Sequence, residues 1–416
     1  MKCLVIGGGG PVGVALLHLF KKLDWTACVV DPNQPRHWDI LNDTLGKNLL
    51  RWKREKWGLK DLQAALKAER YDAVIDLTPT MDKRRTIPLC DKADVSLINS
   101  TVVDCWADIH IAAYNFLDKR PPAKRRGHIC STGMNPGAVN AMAEEICRVE
   151  GQPDAIVYWE YDDTAPHDGI YRGPSITWCL SESAAEINED WNFEVLEEGT
   201  VLLHEDALDW PASSYRATGA PLGELPIPPE AEAFLIGHEE CVFMGWRHDT
   251  AVKFLYGFRP DNMKLIREAG YSYTPHLLLN EPGKVLTGRD IVGVSCRYDN
   301  GWDGQYCLLD NTPATPVDSN ATCHLVACGV MSSAIAVANK KVPIGVHLTH
   351  EIDDWMDGFH TLADVKEFYW EEATTQAAVP VIQMPTTPVQ SPTKAVAAGA
   401  QADKVAQKVS QGSRPS

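Results

Sequence analysis

The 416-residue chain lacks the patterns that define several classes of protein. Its twelve cysteines include no pair separated by two residues, so neither a zinc site nor a disulfide framework is indicated, and we expect reduced thiols in a cytoplasmic protein. It has no run of about 18 apolar residues, so no membrane-spanning helix is expected. Its net charge of −17 argues against nucleic acid as a partner. That charge is compatible with a small cationic substrate, or with an ordinary solvated acidic surface.

The first 150 residues alternate short apolar runs with amphipathic segments. This alternation predicts a doubly wound α/β domain with a parallel sheet. The first apolar run, KCLVI, is interpreted as a strand rather than as a signal peptide. The predicted strands cover 2–6, 26–31, 72–77, 95–99 and 127–131. The predicted helices cover 12–23, 60–69, 84–92, 106–118 and 138–149.

The pattern changes after residue 150, where alternating strands separated by Pro-rich loops dominate. We therefore predict an α+β substrate domain over 151–319 with a mainly antiparallel sheet. A small-residue-rich apolar helix follows, and the helical segment 320–370 is expected to return to the first domain. Residues 376–416 lack aromatics and are rich in Pro, Ala, Ser, Gln and Thr, so a disordered tail is predicted. The predicted strands cover 155–161, 199–204, 250–256, 290–297 and 303–309.

Four consecutive glycines directly follow the first predicted strand, in the segment GGGGPVG. The pattern GxGxxG falls on Gly8, Gly10 and Gly13. In a dinucleotide-binding Rossmann domain the first glycine permits a tight turn, the second lets the pyrophosphate approach the backbone, and the third lets helix and strand pack closely. A helix beginning near Pro11 would direct its N-terminal N–H groups at the phosphates. The alternative is a glycine turn that binds no nucleotide.

The second predicted strand ends in Asp31, 18 residues after Gly13. A carboxylate at this position accepts hydrogen bonds from ribose hydroxyls and repels a 2′-phosphate, so NAD is favoured over NADP. Arg36 keeps NADP open, because it could offer charge to that phosphate. Thr78 and Thr101 follow later strands and are candidates for the edge of the cofactor site, although ordinary loop capping would explain either one.

The next candidate is Asn135, in the segment MNPGAVNAMAEE between a predicted strand and a predicted helix. Its amide could face a nicotinamide or a substrate, or it could serve as a turn residue or helix cap. The pairing of this segment with GGGGPVG resembles the saccharopine-dehydrogenase-like superfamily. Further segments resemble bacterial homospermidine synthase, namely STVVDCW (100–106), ITWCLSESAAE (176–186), GHEECVF (237–243) and the stretch 320–353.

That resemblance implies an enzyme that binds NAD without net consumption. A diamine, putrescine, is oxidised to an imine; ammonia leaves, a second diamine adds, and the new imine is reduced by the same NADH. The resemblance also implies site residues: Asp104 as the acid of TVV-acid-x-W, Asn135 of the NPG motif, Glu160 as an amine contact, Trp178 as a cation-stacking ring, Glu186 as an amine anchor and His238 at the reaction site.

These residue types suit a diamine, whose two ammonium groups require carboxylates at separated points. A Trp face attracts a cation by about 0.5–2 kcal/mol, and a His or a buried carboxylate can accept the proton that an amine must lose before hydride transfer. Each residue also has an ordinary explanation. Trp178 could be a core aromatic, Glu160 and Glu186 could face solvent, and His238 could be a structural hydrogen-bonding residue.

Two other functions remain open at this point. A saccharopine- or carboxynorspermidine-type dehydrogenase would condense an amine with an aldehyde or oxoacid and consume NAD(P)H. It would need a cation in its pocket, for which Arg172 and Arg247 are candidates. A nucleotide-binding sensor would show no turnover.

The family's acidic position near Thr80 is not cleanly matched, which leaves the amine substrate open. No metal is expected, and a homodimer is possible.

Overall fold

The computed structural model describes residues 1–78, 81–102, 108–188, 192–204, 207–208, 213–312 and 315–370. The candidate Asp104 and the predicted disordered tail at 376–416 lie outside these ranges. The N-terminal elements are β1 Lys2–Ile6, α1 Pro11–Lys22, β2 Thr26–Val30, α2 Trp38–Leu45, β3 Leu49–Lys53, α3 Leu59–Ala68, β4 Ala73–Asp76, α4 Lys83–Lys92, β5 Ser96–Asn99, α5 Ile109–Asp118, β6 Gly127–Cys130 and α6 Val139–Glu150.

The elements that follow build a second sheet and then return to the first. They are β7 Ala155–Asp162, β8 Ser175–Ile176, α7 Leu180–Asn188, β9 Phe193–Val195, β10 Val201–Leu203, β11 Ser213–Ser214, β12 Glu232–Ile236, α8 Glu239–His248, β13 Ala251–Phe258, α9 Pro260–Ala269, β14 His276–Leu277, β15 Arg289–Tyr298, β16 Gly301–Asp310, α10 Ala321–Ala338, β17 Gly345–Leu348, α11 Trp355–Leu362 and β18 Val365–Trp370.

The first sheet is parallel throughout, in the order β17-β6-β5-β4-β1-β2-β3. Its inner strands are buried nearly end to end, which is why they read as continuous apolar runs. The two edge strands, β3 and β17, were not predicted. In β3 the residues Leu50 and Arg51 are exposed, and in β17 buried residues alternate with half-buried ones that include His347. Neither strand therefore carries a continuous apolar run. The sheet confirms the predicted Rossmann-type architecture.

The second sheet runs in the order β10-β9-β13-β7-β15-β16-β18, with β12 pairing β13 beside β9. The pairs are antiparallel except for β13 and β7, which run side by side in parallel. This confirms a mainly antiparallel second sheet. Strand β18 pairs with β16, so the segment after α11 joins the second sheet, whereas the prediction included it in a helical segment of the first domain.

Helix α10 joins the two sheets. Judged by length and composition alone, α10 is a helix among the described residues that could cross a membrane. However, 72% of it is buried within the protein. It packs on α1 and α11, and its Gly329 lies against the backbone of Gly133, where a Cβ atom would collide with the Gly133 carbonyl. This close approach brings the first turns of α10 beside the carboxyl ends of the parallel strands.

Candidate active site

A cavity of about 620 Å³ lies at the carboxyl ends of the parallel strands, where an open α/β sheet binds its ligands. The glycine loop after β1 forms one end. The loops after β5 and β6 and the first turns of α10 form the sides. Helix α7, the N-terminus of α8 and strand β13 close the other end. The cavity therefore brings together segments more than 200 residues apart in the sequence.

Close packing dictates the glycine loop. Gly7 has a φ of +82°, so the left-handed residue of the turn directly precedes Gly8. Gly8 is required for a different reason, because a Cβ atom on it would lie 2.7 Å from the Val29 side chain. A Cβ atom on Gly13 would collide with the Gly8 backbone, as expected for the glycine that lets helix and strand approach.

Gly10 differs from its neighbours because it faces open space. The nearest atom to a Cβ built there is the Gly7 carbonyl oxygen at 3.8 Å. Gly10 is also the N-cap of α1, and Pro11 occupies the first helical position, as predicted. The free N–H groups of the first turn border the cavity, which is lined here by Gly10 to Gly13. The loop therefore fits the pyrophosphate of a dinucleotide.

Asp31 directly follows β2, one residue beyond the end of the strand, and is 7% exposed. One carboxylate oxygen accepts the Gly9 N–H at 2.9 Å and the other accepts the Asn33 N–H at 2.7 Å. These bonds fasten the glycine loop to the end of β2. Asp31 thus combines a structural role with the position at which a Rossmann site binds ribose hydroxyls.

The two threonine candidates differ in their contacts. The Thr78 hydroxyl donates to Asp76 at 2.7 Å, and Asp76 is also paired with the buried Lys83 at 2.9 Å. Thr78 therefore packs against the glycine loop, where its methyl group lies against Gly7. Thr101 lines the cavity and donates to Glu239 at 3.1 Å. Of the two, Thr101 is the one that can contact a ligand in the cavity.

Glu160, on β7, is one of the buried carboxyl groups that line the cavity. It is 3% exposed, and one of its oxygens accepts the Asn135 amide N–H at 2.6 Å. Its other oxygen has no hydrogen-bond partner among the described residues. Burial, together with the nearby Asp162 and Glu186, raises the pKa of Glu160 to about 8. A buried carboxylate with one free oxygen is suited to accept an ammonium group.

His238 lies between two carboxylates at the N-terminus of α8. Its Nδ1 is 2.5 Å from Glu240 Oε2, and its Nε2 is 3.5 Å from Glu186 Oε1. Burial by itself would lower the pKa of His238, but the two carboxylates raise it well above its usual value. The pKa of Glu186 is raised by burial, although the neighbouring His238 opposes this shift. The position of the imidazole between Glu186 and Glu240 therefore favours its charged form.

The charged residues that line the cavity are four glutamates and one histidine. They are Glu160, Glu182, Glu186, Glu239 and His238. No Arg or Lys occurs in this lining as far as the structure describes it. The half-buried Trp178 adds an aromatic surface beside α7. The arrangement favours a cationic ligand over a carboxylate.

The two arginines considered as pocket cations lie elsewhere. The Arg172 side chain is 82% exposed, with Asp168 at 3.8 Å. Arg247 forms a two-point ion pair with Glu144, with both N–O distances at 2.7 Å. Neither lines the cavity. A carboxylate-binding role for these two residues is therefore not supported by their positions.

Sequence reasoning missed several residues of the site. Glu239 is 3% exposed, and burial raises its pKa to about 7. Glu240 is the partner of His238. Tyr256 lines the cavity next to Glu160 in the β13–β7 register, and its hydroxyl has no hydrogen-bond partner among the described residues. The adjacent carboxylates of GHEECVF were a usable signal, but the apolar run KFLYGF reads only as a core strand.

Asp290 adds a further buried carboxyl group behind Glu160. It is directly opposite Asp162 in the antiparallel register of β15 and β7, and it is fully buried. Burial, Glu160 and Asp162 together raise the pKa of Asp290 well above its usual value. Within the described ranges no group of His, Cys, Asp and Glu side chains is arranged to hold a metal ion.

The fold and the cavity define a Rossmann-type α/β protein with a dinucleotide-binding loop beside an acidic pocket. Among solved structures, homospermidine synthase from Legionella pneumophila in complex with NAD superposes with a TM-score of 0.75. It covers 93% of this chain and 95% of its own, at 16% identity. The two proteins share this fold. An amine dehydrogenase from Mycobacterium smegmatis gives a TM-score of 0.40 at 12% identity, covering 84% of this chain and 95% of its own. No family model and no curated protein sequence matches the chain.

Proposed function

We propose that this chain is an NAD-dependent enzyme that transfers an aminoalkyl group between diamines, in the manner of homospermidine synthase. One observation carries the proposal. A single cavity joins a glycine loop of dinucleotide-binding geometry to four glutamates, a histidine and a tryptophan, with no Arg or Lys in its described lining. The fold shared with the NAD complex from Legionella pneumophila supports it.

NAD would be held by the parts of the loop that are built from backbone. The open surface at Gly10 and the N-terminus of α1 would receive the pyrophosphate, and Asp31 would bind the ribose hydroxyls. The chemistry that NAD would supply here is reversible hydride transfer at the amine-bearing carbon of the substrate. The protein supplies orientation, desolvation and control of protons.

The substrate we propose is putrescine, a four-carbon diamine. Glu160, steadied by Asn135, would bind one ammonium group at the deep end of the cavity. Trp178 would stack on a cationic nitrogen, and Glu186 would anchor it from α7. Two molecules of putrescine then yield one homospermidine and one ammonia, with no net change in the cofactor.

The substrate amine must lose a proton before hydride leaves its carbon. Glu186 and Glu240 favour the cationic form of His238 in the free protein. An ammonium group bound beside Glu186 places a second cation against the same carboxylates and lowers the pKa of His238. The imidazole would then be neutral more often and would accept the proton from the amine.

The test is incubation of the purified protein with putrescine and NAD+, with mass spectrometry for homospermidine and absorbance for NADH. The proposal predicts homospermidine without accumulation of NADH. Product should be lost in Glu186→Gln and kept in Glu268→Gln, a matched change at an exposed glutamate on α9. NADH oxidation only when an amine is supplied with an aldehyde or oxoacid would instead assign the chain to the reductive dehydrogenases.

A further inference from the structure

A polar junction ties the loop after β2 to the segment that precedes α10. Asp318 is 4% exposed. Its Oδ1 accepts from Arg36 Nε at 3.2 Å and lies 2.7 Å from His37 Nδ1. Its Oδ2 accepts the His37 backbone N–H at 2.7 Å. This junction lies outside the described lining of the cavity and has no part in the proposed reaction.

Arg36 has no free guanidinium nitrogen in this arrangement. Besides the Nε bond to Asp318, one terminal nitrogen donates to Glu281 at 3.0 Å and the other to the Asn280 carbonyl at 3.4 Å. Arg36 follows Asp31 by five residues, within the loop where Rossmann proteins that accept a 2′-phosphate carry an arginine for it. Here that cation is directed at protein oxygens instead.

We propose that Asp318 is a specificity-determining residue that excludes NADP by engaging Arg36. The inference rests on the proposed binding of NAD. A nearly buried carboxylate is stabilised by its hydrogen-bond donors. If Arg36 turned to a 2′-phosphate, Asp318 would lose the guanidinium group and keep only its contacts with His37. Asp31 repels the phosphate directly, and Asp318 withholds the cation that would compensate for this repulsion.

Asp318→Asn tests the proposal by direct binding. Asn keeps the shape and tolerates the left-handed backbone of this position, where φ is +63°. The affinities for NAD+ and NADP+ are measured by titration calorimetry on the full-length protein. We expect the ratio of NADP+ to NAD+ affinity to rise about tenfold, the effect of one charge-assisted contact to phosphate. Adding Arg36→Ala to this variant should abolish the gain.

A matched control is Glu281→Gln, which alters the exposed partner and should leave the ratio within about twofold. An unchanged ratio in a folded Asp318→Asn variant that still binds NAD+ would overturn the proposal. If this variant does not fold, Arg36→Ala alone tests the proposal. Because Asp318 already keeps Arg36 from the phosphate, this change should leave the NADP+ affinity unaltered. A fall in NADP+ affinity would contradict the proposal. Failure of the unaltered protein to bind either dinucleotide would instead refute the proposed function.

Discussion

The two ends of the cavity are built by different means. The glycine-loop end presents backbone N–H groups and open space left by missing side chains, all from one short segment. The acidic end presents buried side chains, Glu160 from β7, Glu186 from α7 and His238 from the start of α8. The first end suits a ligand common to many proteins, and the second suits one particular chemistry.

The difference also concerns cost. A phosphate cradle of N–H groups needs no buried charge, because the ligand brings the charge. The acidic end holds carboxyl groups whose ionisation burial disfavours: burial favours the neutral form of Glu160, and Glu186 and Glu240 share the His238 imidazole between them. Changes at the acidic end should therefore respond to pH, and changes at the loop should respond to shape.

The largest effect is expected at the acidic end. His238→Ala removes the proposed base and leaves Glu186 and Glu240 without their shared cation. We expect homospermidine formation to fall by about 10²–10⁴-fold. The rate is measured by mass spectrometry under saturating putrescine. His167→Ala, at an exposed histidine, is the control and should keep the full rate. Equal rates in the two variants would contradict the assignment.

The loop end predicts a contrast between two identical substitutions. Gly13→Ala forces a Cβ atom into the Gly8 backbone and should lower the free energy of unfolding by about 1–3 kcal/mol. In Gly10→Ala the new Cβ atom meets no atom of the described residues closer than 3.8 Å, so stability should be unchanged while NAD+ binding weakens. Urea unfolding and calorimetric titration measure the two effects. Loss of stability in Gly10→Ala would show that this surface is not open.

The predictability of the two ends from sequence follows the same division. The inner strands of the parallel sheet and the loop were predictable, because buried parallel strands are continuous apolar runs and the glycine spacing is local. The edge strands β3 and β17 were not, since their half-exposed residues leave no such run. At the acidic end the family resemblance drew attention to Glu160, Glu186 and His238, which the fold brings to one cavity.

Other residues of the acidic end have no local signal. Tyr256 lies in a strand whose pattern is that of any core strand, and only its register beside Glu160 makes it part of the site. In the glycine loop, likewise, a run of four glycines does not indicate which of them adopts the positive φ, which the structure places at Gly7.

A smaller effect should appear in the pH dependence of stability. The folded protein retains the proton of Glu160 up to a pKa of about 8, whereas the unfolded chain loses it near the ordinary value. Stability therefore falls as pH rises through this window. The glutamine of Glu160→Gln cannot ionise. The free energy of unfolding of this variant, relative to that of the unaltered protein, should therefore rise by about 1–3 kcal/mol between pH 5 and 8.5. Urea unfolding at both pH values measures this difference in the free energy of unfolding. An equal difference at pH 5 and at pH 8.5 would argue against a buried acid at this position.

The smallest effect is expected at Arg172. Because its side chain is 82% exposed and lies outside the cavity, Arg172→Ala should leave homospermidine formation within about twofold of the unaltered rate. Initial rates at several putrescine concentrations measure this. A large rise in KM would mean that Arg172 reaches the substrate and that the cavity is less uniformly acidic than its described lining.

The central claim is that the acidic end selects a dication. Its most direct test is calorimetric titration of the NAD+-saturated protein with putrescine and with 4-aminobutanoate, which has the same number of carbons but a carboxylate in place of one terminal aminomethyl group. The account predicts that putrescine binds at least tenfold more tightly and that its binding strengthens between pH 7 and 8.5, as Glu160 loses its proton. Equal or tighter binding of 4-aminobutanoate would contradict it.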